Sequence, residues 1–141
     1  MQSTKTSLDF LRDIDQKGKI IATYIWIDGS MQMRSKNRTL DKKVTKVEEL
    51  PGWNFDGSSC YMATTENSEI IIKPVAFFSD PFLGGDNILV LTETYTWEDN
   101  TYKKLVPANT NFRACAREIF DAKADEEPWF GIEQEYTVLA E

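Results

Sequence analysis

The sequence contains no histidine. That removes Ser-His-Asp and Cys-His catalysis, histidine-ligated zinc and the commonest general base. Any chemistry falls to carboxylates, Lys, Arg, Ser, Tyr or a second chain. Cysteine is scarce as well. Cys60 and Cys115 lie far apart and match no metal or redox spacing, which fits a reducing, cytoplasmic compartment. Cys115 falls in a helical pattern and reads as core, Cys60 as a loop residue. No apolar run approaches the roughly 18 residues of a membrane span. The polar start, Met1 to Thr6, has no apolar stretch of a secretion signal. Basic residues are outnumbered 16 to 23, giving a net charge of −7. A nucleic-acid or anionic-membrane surface needs a basic stripe, so neither is expected as a partner. No repeat or low-complexity segment occurs.

What is present is enough for a packed core. Of the 141 residues, 41% are hydrophobic and 12% aromatic, room for one domain or a small domain plus part of a second. Residues 7–17 predict a short amphipathic helix, with Ser7 as N-cap, an apolar stripe of Leu8, Phe10, Leu11 and Ile14, and Gly18 as its stop. Residues 19–28 predict a strand rich in β-branched and aromatic types. Asp28-Gly29-Ser30 signals a hairpin turn. Residues 31–40 return as a second strand whose basic Arg34, Lys36 and Arg38 read as a solvated face. A short mixed segment over 44–50 ends at Pro51-Gly52.

Trp53-Asn54-Phe55-Asp56-Gly57-Ser58-Ser59 places a carboxylate beside two hydroxyls at a turn dipeptide. It reads either as a polar loop presented to a ligand or neighbouring subunit, or as an ordinary β-turn. A polar loop over 61–68 precedes a strand at 69–78, in which Pro74 demands an edge position or a bend. The loop 79–87 carries paired glycines but lacks the Lys-Ser/Thr of a P-loop. Residues 88–95 predict a buried strand. Asn109-Thr110-Asn111 caps a helix over 112–123 with an apolar stripe of Phe112, Cys115, Ala116, Ile119 and Phe120. Arg113 and Arg117 lie on a different face, read as solvated.

The closing stretch, Glu126 to Leu139, opens with Pro128 and Gly131 as punctuation and then alternates as a strand would. Glu133 and Glu135 would share one face, roughly 6.5–7 Å apart. Two such carboxylates can converge on a divalent cation, whose hard oxygen chemistry they suit. A wet strand face would show the same alternation. Trp129-Phe130-Gly131 before it and Leu139 within it argue against a plain exposed edge.

Taken in order, these motifs resemble glutamine synthetase of the eukaryotic type. The matching runs are Lys19 to Ala22 with Tyr24 to Gly29, Arg34 to Lys36 with Arg38 to Leu40, and Leu50-Pro51 with Trp53 to Ser59. Asp80 to Phe82, Asp86 to Val90, Asn111 with Arg113, and Glu126 to Thr137 follow. The resemblance implies an α+β fold: a helix over residues 1–18, a β-grasp domain over 19–106, and over 107–141 the first helix and strand of an incomplete catalytic domain. It implies ligation of ammonia to glutamate through γ-glutamyl phosphate at the expense of ATP, with Mg²⁺ or Mn²⁺, at sites shared between subunits of an oligomer or larger assembly. Carried over, Asp56 and Ser59 form the loop that helps bind and deprotonate ammonium at a neighbour's site. Glu133 and Glu135 are metal ligands, and Glu133 and Trp129 lie near the nucleotide. The chain matches about the first two-fifths of the family's length, so it is expected to be inactive alone. The alternative is a truncated, non-catalytic relative serving as a structural or binding module. The pattern departs at residues 60–67, where the family has a Gly- and Pro-Gly-bearing loop. It departs again at Leu83-Gly84, where the family has two arginines.

Overall fold

The computed structural model describes residues 15–99 and 101–139. The helix expected over 7–17 lies almost wholly outside them. Six strands follow in chain order: β1 (Ile20–Ile27), β2 (Met33–Leu40), β3 (Trp53–Asp56), β4 (Glu69–Ser79), β5 (Ile88–Trp97) and β6 (Leu105–Pro107). One helix, α1 (Phe112–Ala122), comes after them. They build one mixed sheet in the order β2-β1-β5-β4-β3. β1 and β2 are an antiparallel hairpin, and β1 lies parallel to the first half of β5. β6 pairs with the second half of β5, where β1 has ended. The architecture is mixed α and β, consistent with a β-grasp-like domain carrying a short helix.

Alternation in β1 decides the core. Ile20, Ala22, Tyr24 and Trp26 are buried, while the residues between them are half-covered or exposed. Their inner face meets Ile72, Ile88, Val90, Val44 and Leu50. Trp26 stacks on Phe55 with centroids 4.3 Å apart, and Tyr24 meets Trp53 edge-on at 5.7 Å. The Tyr24 hydroxyl donates to the Pro51 carbonyl at 2.7 Å, satisfying the one polar atom of a fully buried ring. These contacts curl the sheet until β1 reaches across the core to β3.

Pro74 behaves as its chemistry requires. β3 pairs only with Glu69 to Ile72, so beyond Ile72 that side of β4 has no strand neighbour. On the other side, β4 bulges against β5 between Pro74 and Ala76. The segment over 44–50 is a single 3₁₀ turn at Val47–Glu49. Residues 53–59, expected as loop, are instead strand β3 followed by a 3₁₀ turn, Gly57–Cys60, in which Cys60 is buried. The 79–87 loop is built around the buried Asp80, whose carboxylate accepts from the N–H of Phe82 and Leu83 at 2.8 and 3.0 Å.

The expected closing strand is not formed. Residues 127–139 carry no strand or helix and are exposed throughout. A strand is a pairing relation, and among the described residues none pairs with this one. Cys115, expected in the core, is exposed, as are Phe112, Ile119 and Phe120. Of α1, only Ala114 is buried.

Candidate functional site

Asp56 ends β3 and caps the 3₁₀ turn that follows. Its Oδ1 accepts from the Ser58 N–H at 3.0 Å and from the Ser58 hydroxyl at 2.6 Å. The Ser59 hydroxyl donates to the Asp56 carbonyl at 2.9 Å. The Ser58 hydroxyl and then its N–H hold the Asp56 carboxyl below the usual carboxylate range, with Ser68 adding to them against a small cost of burial. The side chain is therefore ionised at neutral pH and exposed to solvent. Among the described residues no cation pairs with it.

The backbone beneath this turn has little freedom. A Cβ on Gly57 would lie 2.4 Å from Ile70 Cγ1, inside the core. The Gly57 N–H donates to the Ser68 carbonyl at 2.6 Å. The far end of the turn rests on the β1–β2 hairpin, where the Gly29 N–H donates to the Cys60 carbonyl at 2.9 Å. That hairpin is organised by Asp28, which is fully buried. One Asp28 oxygen accepts from the Ser30 N–H, the Ser30 hydroxyl and the Gln32 N–H at 2.8–2.9 Å. The other accepts from Arg34 Nε at 2.7 Å. Arg34 first, then these donors, hold the Asp28 carboxyl far below the carboxylate range, and Asp28 raises Arg34 in return.

The basic row of β2 is not a solvated face, as the sequence suggested. Arg34 reaches Asp28. Lys36 Nζ sits 3.5 Å from the centroid of Trp53 and donates to the Asn54 carbonyl at 3.0 Å. Arg38 lies 5.4 Å from the same ring and donates weakly to the Gly52 carbonyl at 3.4 Å. Alternation put the three on one side, but only the curl of the sheet turns that side toward β3.

Arg113 and Arg117 keep about half of their side chains in solvent, as the sequence suggested, but they also reach back to the sheet. Both converge on Glu93 of β5, a buried residue, at 3.0 and 3.2 Å. The Tyr95 hydroxyl donates to the same carboxylate at 2.6 Å. The i,i+4 spacing of the arginines was visible, but their partner lies on a strand and no local pattern announces it. Asn111 caps α1, accepting from the Ala114 N–H at 3.2 Å while its own amide donates to the Thr94 carbonyl at 2.9 Å. Between α1 and the outer sheet face runs an apolar groove of about 350 Å³ that includes Ile25, Ile27, Met33, Leu91 and Phe112. It touches neither Asp56 nor the two glutamates.

Glu133 and Glu135 are exposed in the unpaired segment, and Trp129 beside them is 93% exposed. The segment is tied back by Phe130, whose ring lies 5.4 Å from that of Phe120. Among the described residues no group of three or more Cys, Asp or Glu side chains is arranged to hold a metal ion. Two carboxylates are too few for a cage of six or more oxygens, so the residues present do not by themselves fit such an ion. The structure thus keeps Asp56 and Ser59 together and does not bring them to Glu133 and Glu135.

No protein-family model matches the chain. Individual relatives do. The glutamine synthetase of Saccharomyces cerevisiae is 51% identical over 127 residues, 90% of this chain and 33% of the relative. That of Tuber borchii is 49% identical over 139 residues, 99% of this chain and 37% of the relative. That of Agaricus bisporus is 50% identical over 126 residues, 89% of this chain and 34% of the relative. The chain spans about a third of the length of the curated relatives it matches. Identity near one residue in two over nine-tenths or more of the chain places it in the glutamine synthetase family, over the third of the family's length that it spans.

Proposed function

We propose that this chain contributes the ammonium-side turn and two metal carboxylates to an ATP-dependent ligation of ammonia to glutamate. Residues 19–106 form the β-grasp domain, and residues 107–141 open the catalytic domain. The observation that carries the reading is the presentation of Asp56: ionised, outward, and mounted on a turn fixed to the core at Gly57. An exposed carboxylate held in this way stabilises an ammonium ion and can accept its proton. Ser59 keeps the Asp56 backbone in the geometry that aims the carboxylate outward. Glu133 and Glu135 would help hold Mg²⁺ or Mn²⁺, which supplies charge neutralisation at the nucleotide phosphates. Trp129 and Glu133 would border that nucleotide. The remaining ligands lie outside these 141 residues, and the assembly is an oligomer whose sites form between neighbours. Two unpaired thiols, one buried and one exposed, suit a cytoplasmic setting.

The test is a chimera in which this chain replaces the aligned third of the Saccharomyces cerevisiae enzyme. The expected outcome is ATP-dependent glutamine formation, reduced about a hundredfold or more by Asp56→Asn. The 141-residue chain alone should show no γ-glutamyl transfer. Its response to Mn²⁺ should be weak and unchanged by Glu133→Gln or Glu135→Gln. A chimera that folds and assembles yet makes no glutamine overturns the reading. It would favour the second one, a non-catalytic module in a larger assembly, for which the exposed apolar residues from Phe112 to Leu139 speak.

A further inference from the structure

β2 and β3 are the outer strands at opposite ends of the sheet order, yet they are joined. The join is made by side chains. Arg34, Lys36 and Arg38 alternate along β2 and face the segment from Gly52 to Cys60. Lys36 donates to the Asn54 carbonyl, two residues before Asp56. Arg38 donates to the Gly52 carbonyl, and Arg34 locks the hairpin that bonds the Cys60 carbonyl through Gly29.

β3 needs this help. It is four residues long and pairs with β4 alone. A short edge strand with one neighbour can tilt about its ladder, and a tilt at Asn54 swings Asp56. No cation grips Asp56 directly among the described residues. Its carboxylate is bonded within its own turn and by Ser68, so its direction is inherited from the backbone on either side. Nor do Lys36 and Arg38 pair with any carboxylate among the described residues, in a chain of net charge −7. Two like charges two residues apart on one strand face repel, and the face of Trp53 together with two carbonyl oxygens offsets that cost.

We propose that the β2 cation row is a clasp across the open side of the curled sheet, and that Lys36, with Arg34 and Arg38 flanking it, is a positioning residue for the Asp56–Ser59 turn. This rests on the role proposed above for Asp56. The clasp grips the turn upstream at Asn54 and downstream at Cys60, leaving the carboxylate free for a ligand.

The experiment uses the 141-residue chain and reads amide hydrogen exchange and the titration of the Asp56 carboxyl carbon by NMR. Lys36→Met keeps an unbranched stem over Trp53 and removes the charge and the donor. Exchange over 55–60 is expected to rise roughly tenfold or more, the factor one charge-assisted hydrogen bond supports. The Asp56 titration should move up toward the ordinary carboxylate range as the Ser58 bonds loosen. Strands β1 and β5 should keep their protection, and Lys36→Arg should behave as the parent chain. Parent-like exchange and titration in folded Lys36→Met overturns the proposal. So does a loss of protection spread evenly over β1, β4 and β5, which would make Lys36 a general stabiliser. Should Lys36→Met fail to fold, Arg38→Gln tests the same clasp through its weakest bond, with a smaller change in the same direction expected and parent-like behaviour decisive against it. None of these readouts depends on ligation, so an inactive chimera would leave this result standing and the reverse also holds.

Discussion

Replacing Gly29 by alanine tests the seat of the Asp56 turn. A Cβ at this position would lie 2.0 Å from the Tyr61 carbonyl oxygen and 2.5 Å from its carbon, where ordinary contact begins at 3.4 Å. The obstacle is backbone, so no side-chain rotation relieves it. Tyr61 is itself held in the left-handed region at φ 60°, which leaves the loop few alternatives. Hairpin and turn must part by more than an ångström, breaking the bond from the Gly29 N–H to the Cys60 carbonyl. Losing that bond costs about 1 kcal/mol. Forcing a methyl into a packed contact adds about 1–3 kcal/mol. The sum is about 2–4 kcal/mol, which for a domain of this size lowers Tm by roughly 8–16 °C. Urea denaturation followed by tryptophan fluorescence measures it, with an unchanged slope showing that the unfolded state is not the cause. Gly131→Ala is the control, since its Cβ would meet nothing within 4 Å. A Gly29→Ala chain within about 0.5 kcal/mol of the parent would refute the contact and with it the seating of the turn.

Ile72→Ala, at a fully buried site between the aromatic cluster and β5, should cost about 2–5 kcal/mol in the same denaturation. Asp28 contributes stability above its unfolded pKa of about 4, and that contribution is lost as pH falls toward its much lower folded value. The parent chain should therefore weaken as pH drops below about 4. Asp28→Asn should be weaker at neutral pH, with a flatter acid limb. Burial first, then Glu93, pushes the Tyr95 phenol above its ordinary range. Spectrophotometric titration of Glu93→Gln should find that phenol shifted down, and exchange along α1 should quicken while β1 stays protected. A parent-like α1 would mean that the two arginines do not anchor it.

Much of the sheet was legible because residues 19–28 are rich in the β-branched and aromatic types that strands favour, while the division of β1 into a buried and a half-covered face shows only in the structure. Pro74 announced a bend, and Asn111 announced the cap of α1. The misreadings share a cause. Arg34, Lys36 and Arg38 look like any polar strand face until the sheet curls and brings β3 opposite β2. Arg113 and Arg117 look solvated until Glu93, twenty residues upstream of Arg113 and on another element, is placed beneath them. Trp53 to Asp56 looked like a loop because Asp-Gly and two serines dominate its local pattern, whereas its pairing partner, Glu69 to Ile72, is fixed only by the tertiary fold. A carboxylate beside two hydroxyls at a turn was visible in the sequence, whereas singling out Asp56 and Ser59 rested on the family resemblance, and the Ser58 bonds that hold the carboxylate are seen only in the structure.

The attachment of α1 runs opposite to that of an ordinary surface helix. Such a helix buries its apolar stripe and leaves its charges in water. Here the charges face the sheet: Arg113 and Arg117 meet the buried Glu93, and Asn111 bonds to β5. Phe112, Ile119 and Phe120 of the stripe are left more than two-fifths exposed. Trp129, Ile132, Tyr136, Val138 and Leu139 extend the exposed apolar surface along the unpaired segment. The strands from β1 to β6 therefore bury a core of their own, whereas among residues 112–139 only Ala114 is buried. The alternation of Glu133 and Glu135 becomes a shared face only when a neighbouring strand fixes their pleat. An apolar surface of this extent is the feature that would recruit such a neighbour. The cation site proposed for Glu133 and Glu135 would thus share one requirement with the cover for α1. A partner that buries Phe112 and Ile119 without pairing the backbone of Glu133 to Glu135 would leave the two carboxylates as weak toward Mn²⁺ as in the isolated chain.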